Sequence, residues 1–540
     1  MADGYGYASR DLALKRREFF AASGLLAGGA TLLSRVPDLG AGLSSKPDER
    51  AEPRISFDTT DAQYQSVYSL ALKALEDNIN SVSGYQGPVL LEGSNYQGIW
   101  LECTPHEGLV YSALRPDVAR NNQLAFFALQ REDGQLPCWV RTSGAGFGQI
   151  QMVVPIAATA WELSQEIGDT ELLERAYTGC SRWDEWLRRY RETRETGLCE
   201  GFCAWDTGHD HSPRWSGIPD RCPDGDARKC PPLPSLPRLC PDLSATVYGG
   251  RVALASMAGA LGKNFEADHW LAEADAIRMA IIGKLYSPEG ASFYDLDAQG
   301  RFVRIRGDVI SRVLGEHVVD QRLFDTIYQR QIHNPSAFWA PYPLPSIALD
   351  DPAFVRPIQP NSWGGASQVL TALRAPRWME HYGKPADLAH LMQQWVGAIL
   401  RQHAFLQQMD PVNGTFTPDA GDYSPAALVF LDFTWRLAGV RRVANSLEWN
   451  IRPPGPNVRA NYRLRLSPMQ TATIKYASGR AELFLNEKPL YSTSSTLRVV
   501  TNLDGEIQRT VGIDAEKGDG VLQVTKTGGC HGFRCLGPGA

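Results

Sequence analysis

The sequence predicts a mostly α-helical fold in which paired helices form a closed barrel, followed by a small C-terminal all-β domain. Between residues 60 and 440, apolar residues recur at helical spacing, and helix–loop–helix units follow one another at roughly 40–50 residues per pair. The pairs share no strict sequence repeat, which favours a closed barrel over an open solenoid. After residue 445, short runs rich in Val, Thr, Tyr and Leu alternate with turn residues, a pattern typical of β-strands.

These patterns divide the chain into four predicted regions. They are an export signal and linker at 1–50, the helical barrel at 51–444, a β-sandwich-like domain at 445–525 and a tail at 526–540. Long loops rich in Pro, Trp, Asp and Gly interrupt the helices at 90–110, 199–243, 333–365 and 409–425. Long loops in a compact domain are often functional, so the end of the barrel where they gather is the expected site.

The N-terminus is typical of an export signal. Arg16 and Arg17 are followed by Phe19 and Phe20 and then by a run of Ala, Gly and Leu. A charged region ahead of a short apolar run resembles a twin-arginine signal, and the alternative is a basic tail with a chance arginine pair. Ten cysteines also fit an exported protein. We therefore expect a periplasmic or extracellular protein with no membrane segment after signal removal.

Composition narrows the class of partner. The net charge of -6 gives no basic surface for nucleic acid, and no glycine-rich phosphate loop follows a predicted strand, so no cofactor is expected. The chain holds 14 tryptophans and 19 tyrosines, whose flat faces suit sugar rings. A carbohydrate is therefore the expected partner, and the oligomeric state is left open.

One loop, "WDTGHDHSPRW", concentrates polar chemistry between Trp205 and Trp215. Its Gly and Pro residues argue against a continuous helix. Such a loop could hold a metal, bind a sugar or cap a helix. A zinc site would use Cys199, Cys203, His209 and His211, but His-x-His is tighter than the usual spacing, so no metal is predicted. Disulfides among Cys222, Cys230 and Cys240 are the favoured use of the neighbouring cysteines.

The same loop resembles the signature of trehalases and the related stretch of processing α-glucosidases and mannosylglycerate hydrolases, which are six-hairpin (α/α)6-barrel glycosidases. The matching positions are Gly208, Asp210, Ser212, Arg214 and Trp215, whereas Asp206 replaces a glutamate and His209 replaces Trp or Met. Further loops agree in order along the chain: "GIWLECTPHEGL", "FWAPYPLPSIALDDPAF", "QPNSWGGASQVL" and "FLQQMDPVNG" ahead of "DYSPAAL". The resemblance covers roughly residues 60 to 440 and implies an (α/α)6 barrel.

The resemblance also implies roles for the site residues. Asp210 would be the general acid of an inverting glycosidase, in which a protonated carboxyl and a carboxylate base lie roughly 6.5–9.5 Å apart. The alternative for Asp210 is a cap on the helical turn near Ser212. The expected substrate-binding residues are Trp100, Glu102, Trp205, Arg214, Trp215, Asn361 and Trp363.

The base is the weak point of this prediction. Gln407 occupies the position of the family glutamate, and a glutamine cannot accept a proton at neutral pH. Asp410 is the tentative base, although Asp-Pro followed by Asn-Gly is ordinary turn chemistry. Asp422 and Glu102 are the other candidates.

The predicted function is therefore an exported, inverting, exo-acting glycoside hydrolase that cleaves a terminal glycosyl residue from an oligosaccharide or glycoside. Long loops around the end of a barrel favour access to a chain end. The alternative is a sugar-binding pseudo-glycosidase that has lost its base. A zinc-dependent hydrolase is the third candidate.

Overall fold

The computed structural model describes residues 53–419 and 421–514 in full and residues 518–524 and 530–535 by their backbone. The predicted export signal at residues 1–50 lies outside the described residues. Helices dominate the first part of the described chain, as the sequence predicts. The α-helices are α1 (Ala62–Asp77), α2 (Thr104–Tyr111), α3 (Pro116–Ala128), α4 (Ile156–Ile167), α5 (Thr170–Arg191), α6 (Pro241–Ala260), α7 (Asn264–Leu285), α8 (Val309–Gly315), α9 (Gln321–Ile327), α10 (Val369–Met379), α11 (Pro385–Gln402) and α12 (Ser424–Ala438).

The even-numbered helices contact one another in a closed ring. α2 contacts α4, and the contacts continue through α6, α8 and α10 to α12, which returns to α2. α1, α3, α5, α7 and α11 each pack against a helix of this ring. The alternation of ring helices and flanking helices along the chain is that of successive helical hairpins.

Ring helices and flanking helices differ in sequence because they differ in surroundings. The ring helix α12 buries residues on every face, including Leu428, Phe430 and Phe433. A helix that is apolar all round is one enclosed by other elements. The flanking helix α5 instead buries one face, where Trp183 stacks on Trp186 at 5.1 Å, and begins at Asp169, whose side chain accepts a hydrogen bond from the Leu172 amide.

Short strands and single helical turns shape the segments between the helices. The strands are Ile79–Val82 with Tyr85–Leu90; Gly98–Trp100, Trp139–Arg141 and Gly144–Gly146; Glu200–Gly201, Arg238–Leu239, Asp295–Leu296 and Phe302–Val303; Tyr286–Ser287 with Ser292–Phe293; and Ser367–Gln368 with Gln408–Met409. The turns are the 3-10 turns Ala204–Thr207, Pro213–Trp215 and Pro223–Gly225 and the π-turn Tyr328–Ile332.

The β part is wider than the sequence predicts. It begins at Val440 rather than 445, and it includes the first strand of the chain, Ile55–Thr59, which pairs antiparallel with Ala460–Ser467. The predicted tail at 526–540 is also partly a strand, Cys530–Cys535. Turn-flanked strands are visible in a sequence, but a lone strand remote from its partner gives little signal, because its pairing is decided at a distance.

Two sheets make up this β part. The seven-stranded sheet has the order Ile55–Thr59, Ala460–Ser467, Gln470–Ala477, Arg480–Leu485, Lys488–Thr493, Gly518–Val524 and Cys530–Cys535. The four-stranded sheet has the order Val440–Val443, Ser446–Ile451, Leu497–Asn502 and Ile507–Val511. Trp449 of the smaller sheet and Tyr462 of the larger sheet are fully buried in one apolar core.

The β part is also joined to the helices. Arg498 donates two hydrogen bonds of 2.7 Å to the carboxylate of Glu380, which follows α10. The Tyr476 hydroxyl donates to the Ala438 carbonyl at the end of α12. Within the described residues, the helices are all too short or too polar to cross a membrane.

Candidate active site

The candidate site lies where chain segments lead into the ring helices. Each of these segments supplies a polar residue that contacts a residue of another such segment: Glu102 ahead of α2, Gln151 ahead of α4, the 192–240 segment ahead of α6, Asp308 ahead of α8, Asn361 ahead of α10 and Gln407 ahead of α12. The predicted gathering of the long loops at one end is therefore observed. Helix N-termini carry partial positive charge, which favours acidic groups at this end of the ring.

A chain of hydrogen bonds joins the predicted acid to the predicted base position. The Asn361 Nδ2 donates to Asp210 Oδ2 at 3.1 Å, and the Gln407 Nε2 donates to Asn361 Oδ1 at 2.9 Å. The Tyr96 hydroxyl completes the chain by donating to Gln407 Oε1 at 3.0 Å. Asp210, Asn361 and Gln407, which are far apart in sequence, are thus brought together, as the resemblance implies.

Asp210 is held in place from its backbone as well. The Trp363 amide donates to the Asp210 carbonyl at 2.9 Å. Burial raises the pKa of the Asp210 carboxyl to about 6, while the hydrogen bond from Asn361 opposes the rise. The helical turn Pro213–Trp215 is capped by Ser212, whose side chain accepts from the Arg214 amide, so capping is not the role of Asp210.

Glu102 lies against the loop that carries Asp210. Its carboxylate packs so closely on Gly208 that a Cβ built there would lie 1.4 Å from Oε2. Burial, Glu92 and Asp210 together raise the pKa of Glu102 to about 8. Glu102 and Asp210 are both partly accessible. They are therefore two carboxyl groups of one site with different affinities for a proton.

Two further acids lie behind this pair, and the sequence did not point to them. Glu92 is 5% exposed and Glu107 is fully buried. Burial, together with Glu107, raises the pKa of Glu92 to about 8, although Glu92 accepts a hydrogen bond of 2.6 Å from the Tyr423 hydroxyl. Burial also raises the pKa of Glu107 to about 8. The available sequence signal was the position of Glu92 directly before the turn-forming "GSN", which alone does not distinguish a buried acid from a surface one.

Arg214, an expected sugar-binding residue, is saturated by protein groups. Its Nε and Nη2 donate to Asp295 at 2.8 and 2.6 Å, and its Nη1 and Nη2 donate to Asp242 at 2.7 Å each. Nη1 also donates to His209 Nδ1 at 3.0 Å. A guanidinium has five N–H donors, so these contacts leave none for a ligand. Arg214 therefore fixes the Asp210 loop to the first turn of α6.

His209 belongs to the same fixed network. Its Nε2–H donates to Asp308 Oδ1 at 2.7 Å, while its Nδ1 accepts from Arg214. Burial and the charge of Arg312 lower the pKa of His209 to about 4, although Asp308 favours the charged form. A neutral imidazole results, with both ring nitrogens engaged.

Asp206 stands where the related signature has a glutamate, and here it is structural. Both of its oxygens accept from the Arg191 guanidinium, and both side chains are fully buried. The amides of Ile150, Phe202 and Cys203 also donate to it, at 2.9, 2.7 and 3.2 Å. Asp206 therefore anchors the start of the loop that carries Asp210.

Three of the four predicted tryptophans are buried, and one is half-buried. Trp100 and Trp363, which are 6% and 4% exposed, share a small apolar cluster with Cys103 and Leu370, and the centroids of the Trp363 and His209 rings lie 5.0 Å apart in an edge-on arrangement. Trp215 is 3% exposed and donates from Nε1 to Thr207 Oγ1 at 2.9 Å, which makes it part of the loop core. Trp205 is half-buried beneath the guanidinium of Arg221 at 4.5 Å.

The candidate bases Asp410 and Asp422 both accept hydrogen bonds from protein groups, Asp410 within a turn and Asp422 from a distant segment. Asp410 Oδ1 accepts from the amides of Val412 at 2.7 Å and Asn413 at 3.3 Å. Asp422 Oδ1 accepts from Ser94 Oγ at 2.7 Å. Among the contacts of the described residues, none joins Asp410 to Asp210 or Asn361. This arrangement favours the turn interpretation of Asp410 over its tentative assignment as the base.

The residues expected for a zinc site do not converge. Both nitrogens of His209 are engaged, and His211 Nδ1 lies 2.9 Å from the Asn361 carbonyl oxygen. Within the described ranges, two groups of ligand atoms lie close together: Cys203 with Asp206 and Cys222, and Cys240 with Asp242 and Asp295. The aspartates of both groups are already paired with Arg191 or Arg214, whose positive charge opposes a cation there.

The comparison with protein families decides the relationship. The Mannosylglycerate hydrolase MGH1-like glycoside hydrolase domain matches residues 96–435, which is more than half of the chain. The chain belongs to this glycoside hydrolase family. All the predicted site residues from Trp100 to Asp422 lie inside the matched region, and the β part after Val440 lies beyond it. A search of curated protein sequences found no match.

Solved structures of glycosidases share the fold of this family member at low sequence identity. The GH63 mannosylglycerate hydrolase from Thermus thermophilus in complex with Tris is 18% identical with a TM-score of 0.55, over 68% of this chain and 100% of that chain. Neutral trehalase Nth1 from Saccharomyces cerevisiae is 13% identical with a TM-score of 0.54, over 68% and 80%. The GH78 rhamnosidase of Bacillus sp. GL1 is 14% identical with a TM-score of 0.54, over 80% and 41%.

Proposed function

We propose that this chain is an exported, inverting glycoside hydrolase that removes a terminal sugar from an oligosaccharide or glycoside. The ring of even-numbered helices is then the inner layer of an (α/α)6 barrel, and its loop-covered end is the active site. The observation that carries the proposal is the pair of partly accessible carboxyl groups, Asp210 and Glu102, at that end.

Asp210 and Glu102 supply the two protonation states that hydrolysis needs. One carboxyl must donate a proton to the leaving oxygen, and the other must take a proton from water. The pKa values of about 6 and about 8 mean that the pair holds one proton between pH 6 and pH 8 and that this proton lies mainly on Glu102. The reactive form, with the proton on Asp210 and Glu102 ionised, is therefore the minor one of the two singly protonated forms. We assign the acid to Asp210 from its place in the signature, and the base to Glu102, since the turn contacts of Asp410 disfavour it.

Gln407 is a positioning residue in this scheme. Its Nε2 donates to Asn361 Oδ1, so the amide nitrogen of Asn361 is the end that faces Asp210. An Asn361 donor stabilises the ionised form of Asp210 and thereby keeps the pKa of that carboxyl from rising further. The residue at the family base position therefore tunes the acid rather than activating water.

Aromatic and polar groups around the pair would hold the sugar. Trp205 supplies half-buried ring surface, and Asn361 supplies an amide beside Asp210, whereas the buried rings of Trp100 and Trp363 support the site from within the protein. Arg214 and Trp215 act indirectly by fixing the loop. The neighbouring solved structures include a mannosylglycerate hydrolase, a trehalase and a rhamnosidase, so terminal mannosyl, glucosyl and rhamnosyl groups are the first substrates to test.

The decisive assay is sugar release from a panel of nitrophenyl glycosides, trehalose and mannosylglycerate. We expect cleavage of one class, with the anomeric configuration of the first product inverted in a time-resolved NMR spectrum. The kcat/KM of that substrate should show a bell-shaped pH dependence. It should fall below about pH 6, where the pair of Asp210 and Glu102 gains a second proton, and above about pH 8, where the pair loses its only proton. Glu102→Gln should remove activity while sugar binding persists.

The alternative function gives a different result in the same assay. A pseudo-glycosidase without a base would bind one of these sugars and release no product from any of them. Gln407 at the family base position is the observation that favours this alternative. Binding without turnover by the wild-type protein would therefore overturn the proposed hydrolase.

Export is tested separately. Arg16→Lys combined with Arg17→Lys should leave the protein in the cytoplasm, because twin-arginine signals depend on the arginine pair. Lys15→Arg, next to the pair, is the matched control and should be exported normally. Unchanged export of the double variant would refute the twin-arginine assignment.

A further inference from the structure

Two cysteines flank the neck of the loop that carries Asp210. The neck is closed by two backbone hydrogen bonds, from the Ala204 amide to the Pro219 carbonyl at 3.0 Å and from the Trp205 amide to the Asp220 carbonyl at 3.1 Å. Cys203 and Cys222 lie directly outside these bonds on the two sides of the neck. A covalent bond between them would therefore lock a conformation that the backbone already adopts.

The two sulfur atoms are already in contact. Their Sγ atoms lie 3.7 Å apart, and the residues are 0% and 3% exposed. A disulfide bond is about 2.05 Å long, so small rotations of both side chains suffice to form it. Cys230, which is partly accessible, packs against the same cluster and offers a thiol nearer to solvent.

The surroundings favour a disulfide over a metal at this pair. The Arg191 Nη2 donates to Cys222 Sγ at 3.6 Å. The same guanidinium occupies both oxygens of Asp206, which is the third ligand that a cation would need. The buried positive charge of Arg191 would therefore repel a cation at this place, whereas it would not repel a neutral disulfide.

We propose that Cys203 and Cys222 form a disulfide that closes the neck of the Asp210 loop when the protein is in an oxidising environment. The bond stands apart from the proposed catalytic function, because it rests on the neck and the cysteines alone. The bond would stabilise the folded loop, because it removes open states of the neck from the unfolded and partly unfolded chain.

The oxidant is a disulfide, either a small molecule such as oxidised glutathione or a protein disulfide. The Cys222 thiolate attacks one sulfur of the oxidant, forms a mixed disulfide and expels one thiolate. The Cys203 thiolate then attacks the Cys222 sulfur, forms the internal bond and expels the second thiolate. The two protons of the cysteine thiols end on the two expelled thiolates, so the protein loses two hydrogen atoms and the oxidant gains them.

Peptide mapping of the wild-type full chain tests the proposal. The protein is incubated with oxidised glutathione, denatured, alkylated and cut with trypsin without reductant. After cleavage with trypsin, Cys199 and Cys203 lie in the peptide 195–214. Cys222 lies in the peptide 222–228, and Cys230 lies in the peptide 230–238. We expect a disulfide to link the peptide 195–214 to the peptide 222–228, and we expect reduction to separate the two peptides.

Matched variants assign the bond to one of the two cysteines in the longer peptide. Cys199→Ala should keep the link, and Cys203→Ala should lose it. If Cys203→Ala does not fold, fragmentation of the linked wild-type peptide between Cys199 and Cys203 gives the same assignment. Alkylation of both Cys203 and Cys222 after oxidation, or a link from 222–228 to 230–238 or to Cys199, would overturn the proposal.

A physical readout accompanies the mapping. The wild-type protein should unfold several degrees higher when oxidised than when treated with dithiothreitol, since closing a loop restricts the unfolded chain. Cys222→Ala should unfold at the same temperature in both states. An equal unfolding temperature for the two wild-type forms, with the link present, would show that the bond does not stabilise the neck. Neither readout requires catalytic activity, so an inactive protein would contradict the proposed function but not the disulfide.

Discussion

At the scale of single residues, Asp210 illustrates how opposing contacts set a proton affinity. Burial disfavours the charged carboxylate, whereas the amide of Asn361 favours it, and the balance places the pKa at about 6. A carboxyl with this pKa exchanges its proton readily close to neutral pH. That property is what a general acid requires, and an exposed aspartate does not have it.

Asp210→Asn should lower kcat by about 10² to 10⁴, because an amide cannot donate the proton that general acid catalysis needs. The side chain keeps its size and one oxygen, so folding and sugar binding should persist. Steady-state kinetics together with the unfolding temperature will check this. Asp224→Asn, in the same segment but exposed, is the control and should keep wild-type rates. Full activity of Asp210→Asn on an unactivated glycoside would remove Asp210 from the role of acid.

Gln407→Glu distinguishes a positioning role from a lost base. The change removes the amide that donates to Asn361 and adds a negative charge, so the pKa of Asp210 should rise. We expect lower activity and an acidic limb of the pH profile moved to higher pH. Gln359→Glu, which adds the same charge at an exposed position on the loop ahead of α10, should leave the profile unchanged. A gain of about 10² or more in kcat for Gln407→Glu would instead show that water lacks only a base at this position.

At the scale of elements, the segment between α5 and α6 is built around two buried arginines. Arg191 at the end of α5 binds Asp206, and Arg214 binds Asp242 at the start of α6. Asp210 lies between these two anchors in the chain. The position of the acid therefore depends on ion pairs that themselves contact no substrate.

Asp206→Asn should destabilise the protein and disorder the loop that carries Asp210. Removing one partner of a buried ion pair leaves an uncompensated charge and destabilises by about 3–5 kcal/mol. We expect a lower urea midpoint and a loss of kcat larger than the loss of folded protein. Asp224→Asn breaks an exposed contact with Lys229 and again serves as the control, since it should change neither measurement. A stable Asp206→Asn with normal kinetics would contradict the anchoring role.

The sequence predicted the members of this loop but only some of their roles. Local signals sufficed for Asp210 and its neighbours, because the loop composition and the signature are contiguous. Arg214 was expected to bind sugar, whereas its partners Asp242 and Asp295 lie 28 and 81 residues away. Glu92 was missed for the same reason: its importance comes from Glu107 and Tyr423, which only the fold brings to it.

At the scale of the whole molecule, the helix-rich body and the later strands could be read from periodicity, because one buried face imposes a regular pattern. The pairing of Ile55–Thr59 with the C-terminal sheet could not, since a five-residue strand carries no record of a partner about 400 residues away. The bidentate contact between Arg498 and Glu380 joins the same two parts of the molecule.

The Arg498–Glu380 contact should make stability depend on acidic pH. Burial alone would raise the pKa of Glu380, but hydrogen bonds and charge from Arg498 lower it from 4.5 to about 2. A lowered pKa contributes stability that is present above 4.5 and is lost as the pH falls toward 2. Urea unfolding across this range should therefore show a falling midpoint in the wild type.

Glu380→Gln should lower the stability at neutral pH, on the order of 3 kcal/mol, and should lose less stability than the wild type between pH 4.5 and pH 2. Glu132→Gln, at an exposed position, should behave like the wild type. The two curves for Glu380→Gln and wild type should converge at low pH, where both side chains are neutral. Parallel curves would show that the contact does not carry the pH dependence.

The seven-stranded sheet also has a mechanical consequence. Its two edges are the first strand of the described chain, Ile55–Thr59, and the last, Cys530–Cys535, so the ends of the described chain attach to opposite edges of one sheet. A pulling force applied between residues 53 and 535 would load the two edge strands across the sheet, and it would also load α4 through the ion pair between Arg54 and Glu166. Because the Arg54 amide also donates to the Ala113 carbonyl at 2.8 Å, the sheet and the ring of helices would share the load from the start.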